Sequence, residues 1–152
     1  MPEKTPEKSS IQIENNSPEV KKIPLVQQIL LKDRYNGEIY SLEKISGGRS
    51  VFIEISASWC SACKEMYLIT SKLYDLFKDK TFFIRITLSP ENETLTESPI
   101  PVMNIQSSPV DLGIEASSIL PRIIILNRSG ELTADLNGQY PMLYYYGILS
   151  EL

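Results

Sequence analysis

The sequence predicts an α/β domain, a central mixed sheet flanked by helices with an added N-terminal β-hairpin. Three observations carry this. First, the apolar run Val51-Phe52-Ile53-Glu54-Ile55 is followed by Ala62, Met66, Ile69, Leu73 and Leu76 at helical spacing, and then by a second extended run, Phe82 to Leu88. A strand–helix–strand order implies a right-handed crossover and a parallel pair. Second, Pro121 leads an apolar strand, Arg122 to Leu126. The turn Asn127-Arg128-Ser129-Gly130 then returns Glu131 to Leu136 as an antiparallel edge strand. Third, Asn36-Gly37 suits a tight hairpin turn between Leu25–Leu31 and Ile39–Leu42.

In chain order, residues Met1 to about Lys22 read as a disordered tether. Pro2, Pro6 and Pro18 are spaced by Glu, Lys, Ser and Asn, with few apolar groups to bury. The domain proper is expected over residues 23–152. Leu42 to Ile45 suits one helical turn, broken by Ser46-Gly47-Gly48. Val51 to Ile55 has the composition of a central strand covered on both faces. The main helix is expected from about Cys60 to Lys78, with Ser58 as its N-cap. Ser89 to Ser108 is polar and carries Pro90, Pro99 and Pro101, which predicts a long surface connection with a short strand at Val102 to Ile105. Pro109 opens a short helix, and Pro141 starts a last one, from Met142 to about Glu151. Its buried side is expected to carry Leu143, Tyr146 and Leu149 or Ile148.

Composition narrows the chemistry. The 152 residues are 42% hydrophobic and 22% charged, ordinary for a globular domain. A net charge of −4 and the lack of any basic cluster argue against nucleic acid as a partner. There is no histidine, which removes Cys-His and Ser-His catalysis and His-ligated metal sites. Two cysteines are too few for a closed zinc site, so no metal and no cofactor is expected. No membrane span or signal peptide is legible.

Both cysteines and the single tryptophan lie in Ala57-Ser58-Trp59-Cys60-Ser61-Ala62-Cys63. A Cys-X-X-Cys pair at a strand-to-helix turn reads as a redox motif. The first sulfur sits where unpaired N–H groups and the helix dipole favour a thiolate, and the small residues Ser61-Ala62 favour its exposure. Glu54 is a lone acid in a strand that should be apolar, where burial without a partner costs several kcal/mol or leaves it protonated. An acid on a partly exposed face, or one paired with a lysine, is the plainer alternative.

These residues resemble the thioredoxin superfamily over roughly Pro24 to the C-terminus. The resemblance rests on the Trp-Cys-X-X-Cys turn, the proline-led strand Ile119-Leu120-Pro121-Arg122-Ile123-Ile124, and the hairpin and final helix behind it. Within the superfamily, Asn36-Gly37-Glu38-Ile39-Tyr40-Ser41-Leu42 and Ala57-Ser58-Trp59-Cys60 look like the extracytoplasmic TlpA/ResA-like proteins. Cys63-Lys64-Glu65 is similar to the C-terminal domain of DsbD-type reductases. The resemblance implies a thioredoxin fold and a thiol–disulfide oxidoreductase, with Cys60 as nucleophile and Cys63 as resolving thiol. Its partners would be protein disulfide or dithiol substrates and an upstream thiol–disulfide electron donor.

The resemblance also implies that Glu54, six residues before Cys60, is a buried general base toward Cys63. Pro121 would be a cis-proline presenting backbone to a substrate, preceded by Leu120. Trp59 and Tyr67 are candidates for the rim around the sulfur. An extracytoplasmic or periplasmic location follows from the same likeness, with the tether reaching toward a membrane through a removed N-terminal segment. Ser61-Ala62 departs from the Gly-Pro of thioredoxins and from the Pro-His of strong oxidants, so a reductant or isomerase is expected. Two rivals stand beside this reading. One is a Sco-like copper metallochaperone, suggested by the hairpin and Leu88-Ser89-Pro90-Glu91; the other is a non-enzymatic interaction module of the same fold.

Overall fold

Seven strands form one mixed sheet, in the order β2-β1-β5-β4-β3-β6-β7. The computed structural model describes residues 23–89 and 98–152. The expected tether, and 90–97 of the long connection, lie outside the described residues. The strands are β1 (Leu30–Asp33), β2 (Ile39–Ser41), β3 (Ser50–Ser56), β4 (Thr81–Thr87), β5 (Val102–Ser107), β6 (Arg122–Leu126) and β7 (Leu132–Asn137). The helices are α1 (Leu42–Ser46), α2 (Ala62–Phe77) and α3 (Met142–Ser150).

β3 is an interior strand, paired on both edges. It pairs in parallel with β4, from Ser50↔Thr81 to Ser56↔Thr87, and antiparallel with β6, from Val51↔Leu126 to Ile55↔Arg122. Val51, Phe52, Ile53 and Ile55 have no exposed surface, as a doubly covered strand requires. Burying each such side chain stabilises the fold by about 1.5–3 kcal/mol, which is why this short run organises the domain. On one face Phe52, Phe83, Ile123 and Ile125 pack against Met66, Leu73 and Phe77 of α2 and Tyr145 and Leu149 of α3. On the other, Val51, Ile53, Ile55, Ile84 and Ile124 form a second cluster with Leu31, Leu42, Ile114, Leu120 and both cysteines. β3 leads directly into the segment that holds both cysteines, at the carboxyl end of its parallel pairing with β4.

Several expectations need correction. The first strand begins at Leu30, because Leu25–Gln28 after Pro24 is a 3-10 turn. That turn is seated by the Val26 N–H donating to the Gly130 carbonyl at 3.0 Å. Gly130 has φ +80°, and a Cβ there would run into the Val26 side chain, so the β6–β7 turn needs glycine. The β1–β2 connection is wider than a two-residue hairpin. Asp33 accepts from the N–H groups of Tyr35 and Asn36 at 2.8 and 3.0 Å, and its own N–H reaches the Glu38 carbonyl.

β5 is longer than expected and bridges the hairpin to the core sheet, antiparallel to β1 and parallel to β4. On α2, Leu76 is exposed and Thr70 takes a buried place instead. On α3, Leu143 and Tyr146 face outward while Tyr145 and Leu149 are buried. Met-Leu-Tyr-Tyr-Tyr-Gly-Ile-Leu has no charged side to mark its outer face, so sequence spacing could not orient it. Among the described residues no helix is long and apolar enough to cross a membrane.

Candidate active site

The Cys60–Cys63 pair is joined as a disulfide at the amino end of α2. Ser58 does not cap the helix; its N–H donates to the Ser89 hydroxyl at 2.7 Å, which pins the turn before the cysteines to the end of β4. Ser61 occupies the cap position with helical angles and no side-chain hydrogen bond. The capping role falls to sulfur: the Cys63 N–H donates to Cys60 Sγ at 3.2 Å. This is the geometry in which an unpaired helix N–H and the positive end of the helix stabilise charge on the first sulfur. Exposure does not single out Cys60 as expected, since Cys60 and Cys63 are 8% and 7% exposed. The hydrogen bond distinguishes them.

Leu120 lies in the same buried cluster as the two cysteines, and the Leu120–Pro121 bond is cis, as the resemblance implied. The Pro121 carbonyl accepts from the Gly138 N–H at 2.7 Å. The backbone groups of Ser118, Ile119 and Leu120 make no hydrogen bond to other described residues. Trp59, next to Cys60 in sequence, is 64% exposed. The Tyr67 ring centre lies 3.9 Å from the Arg85 guanidinium carbon.

Glu54 is 1% exposed, and its partner is Arg85 rather than a lysine. The Arg85 Nε–H donates to Glu54 Oε1 at 3.2 Å. The rest of the guanidinium is satisfied by the Ser98 hydroxyl, the Tyr67 carbonyl and the Ser71 hydroxyl. Burial raises the Glu54 pKa above its ordinary value, and the charge of Arg85 offsets only part of that. The buried Thr70 hydroxyl adds a weaker favourable contact to the carboxylate, short of full hydrogen-bond geometry. Glu54 makes no hydrogen bond to Cys63 among the described residues. Thr70 stands seven residues, roughly 10 Å of helix, beyond Cys63.

Arg85 is the residue that sequence reasoning missed. It is a lone cation in Phe82-Phe83-Ile84-Arg85-Ile86, and parallel pairing of Val51 with Phe82 sets it directly beside Glu54. The matched offset of one acid and one base in two apolar strands was the available signal.

Comparison with solved structures decides the fold. The pneumococcal exposed lipoprotein thioredoxin Etrx1, from Streptococcus pneumoniae strain TIGR4, superposes with a TM-score of 0.64 at 20% identity, covering 82% of this chain and 99% of that one. This is the fold of the thioredoxin superfamily. Two further solved structures share the fold. A putative thiol:disulfide interchange protein DsbE from Chlorobium tepidum gives a TM-score of 0.68 at 13% identity over 87% of this chain and 97% of that one. StoA from Bacillus subtilis gives 0.58 at 19% identity over 82% and 98%. No family model matches. A curated relative, the chloroplastic thioredoxin-like protein HCF164 of Arabidopsis thaliana, is 25% identical over 116 residues, 76% of this chain. The chain spans about two fifths of that relative's length, 39% of it being matched.

Proposed function

We propose that the chain is a thiol–disulfide oxidoreductase acting on protein disulfides through Cys60 and Cys63, as a reductant or isomerase rather than a strong oxidant. The observation that carries this is the disulfide at the start of α2 with the Cys63 N–H on Cys60 Sγ. In the reduced protein the Cys60 thiolate attacks one sulfur of a substrate disulfide. That S–S bond breaks, a mixed disulfide forms, and the first substrate thiolate leaves. Cys63, once deprotonated, attacks Cys60 Sγ and releases the second substrate thiolate. Two electrons pass to the substrate, and an upstream dithiol restores the pair. With no histidine in the chain, an imidazolium cannot hold the thiolate as it does in strong oxidants, which supports the reducing direction.

Leu120 and Pro121 form the shelf on which a substrate strand lies. Support comes from the open backbone of Ser118 to Leu120 and from the burial of Leu120 with the cysteines. Trp59 flanks it. An extracytoplasmic setting is part of the proposal, supported by a neighbour that is itself described as an exposed lipoprotein. The test is reduction of insulin by dithiothreitol with catalytic amounts of the protein. Turnover above the uncatalysed rate is expected; no acceleration would return the domain to the class of binding modules.

Glu54 is proposed as the proton acceptor for Cys63, reached through an intervening water because no direct hydrogen bond joins them. Its burial and raised pKa support the role. The Arg85 pair supports a purely structural role instead, and one variant separates the two. In Glu54→Gln the resolving step is expected to slow about 10- to 100-fold near neutral pH, with the Glu54-dependent limb of the pH–rate profile removed. An unchanged pH profile would leave Glu54 as a structural ion-pair partner only.

A further inference from the structure

We propose that Arg122 is a positioning residue for substrate, clamping the segment before Pro121 to β7 so that its open backbone is held ready for an incoming strand. The inference rests on the reading of Leu120 and Pro121 as the substrate shelf. Arg122 directly follows Pro121 and is 8% exposed, on the face of β6 shared with Ile124 and Leu126. Its Nε–H and one Nη2–H donate to the two carboxylate oxygens of Asp135 at 2.9 and 2.7 Å, a bidentate pair that fixes the guanidinium plane. Nη1 donates to the Ser117 hydroxyl at 2.9 Å. Asp135 lies on β7 opposite Ile124, so one side chain ties three points: β7, the start of β6 and the segment ahead of the proline.

The need for such a tie is visible in the backbone. The chain is held by a 3-10 turn as far as Ser117, whose N–H reaches the Ile114 carbonyl, and again at Pro121 through Gly138. Between them the backbone of Ser118, Ile119 and Leu120 has no hydrogen-bond partner among the described residues. Ile119 is 59% exposed, and an open cleft of about 200 Å³ is lined by Ser117, Ile119, Arg122 and Asn137, leaving one side of the segment open among the described residues. Leu120 anchors this stretch from below and the Arg122 clamp anchors it from the side. A freely moving segment would have to be ordered by each substrate, and that cost would appear in binding.

The test uses the full chain and two substrates, a disulfide-linked peptide and a small aromatic disulfide that has no peptide backbone to lay on the segment. Arg122→Lys keeps the charge but cannot span both Asp135 oxygens and Ser117. Ser117→Ala removes one hydrogen bond and leaves the ion pair intact, so it is the variant least able to disturb folding. The KM for the peptide is expected to rise about five- to tenfold in Arg122→Lys and about two- to threefold in Ser117→Ala. The rate constant for the small disulfide should stay at the wild-type value in both. An unchanged peptide KM in Ser117→Ala, or a small-disulfide rate that falls in step with peptide turnover, would overturn the clamp. A wild-type protein inert toward the small disulfide would instead overturn the reading of the cysteine site, and the clamp with it.

Discussion

Cys60→Ser is expected to lower insulin-reduction turnover by about 10⁴-fold or more, to the uncatalysed background. The step depends on a thiolate, and a serine hydroxyl at the same place is neither ionised near neutral pH nor able to form a mixed disulfide. The local fold should survive the change. Cys60 takes part in the second core cluster, but the helix start is also held by the Cys60 N–H on the Ala57 carbonyl and by Ser58 on Ser89. Oxygen can still accept from the Cys63 N–H. Loss of turnover in a variant with unaltered far-ultraviolet dichroism would therefore report chemistry. Residual turnover within tenfold of wild type would mean that Cys60 is not the nucleophile.

The largest stability effect is expected at Arg85. Arg85→Met should destabilise the fold by about 3–5 kcal/mol at pH 7, because it strands the buried Glu54 carboxylate without its cation. Combining it with Glu54→Leu should recover much of that loss, since the surviving site is apolar. Recovery stays incomplete, as Ser98, Ser71 and the Tyr67 carbonyl have also lost a donor. The pH dependence follows from the sign of the shift. The folded-state pKa of Glu54 is raised above 4.5, so the folded protein holds this proton to higher pH than the unfolded chain. Its contribution to stability therefore falls as pH rises from the unfolded value through the folded one. Without Arg85 the folded pKa rises further and that window widens. The deficit of Arg85→Met should accordingly be smaller at pH 4 than at pH 7. Urea unfolding at the two pH values checks this, and a single-variant cost below about 1 kcal/mol at pH 7 would contradict it.

The parts legible in sequence were those with a period. β3, α2, β4 and the β6–β7 hairpin each carry a pattern tied to their own backbone geometry, and the Trp-Cys-X-X-Cys turn carries its chemistry in adjacent residues. What stayed hidden depends on contacts between distant segments. The strand expected at Val102 to Ile105 is present, but its extension to Ser107 and its role in joining β1 to β4 are not announced by its own residues. Leu25–Gln28 alternates too weakly to separate a strand from a 3-10 turn, and the deciding contact is with Gly130, far along the chain. The outer face of α3 is aromatic and aliphatic like its inner face. Ser58 has the residue type of an N-cap, yet the first sulfur fills that role.

At the candidate site, Glu54 stood out because it broke a pattern, but its partner required the register of two strands. Arg122 looked like an ordinary residue at a strand start. Its function depends on Asp135 and Ser117 meeting at one guanidinium, which no local spacing reveals.

The assignment of Cys60 as attacking thiol and Cys63 as resolving thiol is tested most directly by Cys63→Ser. Without the resolving sulfur the mixed disulfide cannot be released by the internal step, so the variant should accumulate covalently bound to a disulfide substrate. On a non-reducing gel the adduct is expected at the summed mass, linked through Cys60 by peptide mapping and lost on adding dithiothreitol. Failure of Cys63→Ser to trap any substrate, while the wild-type protein reduces the same disulfide, would contradict the account.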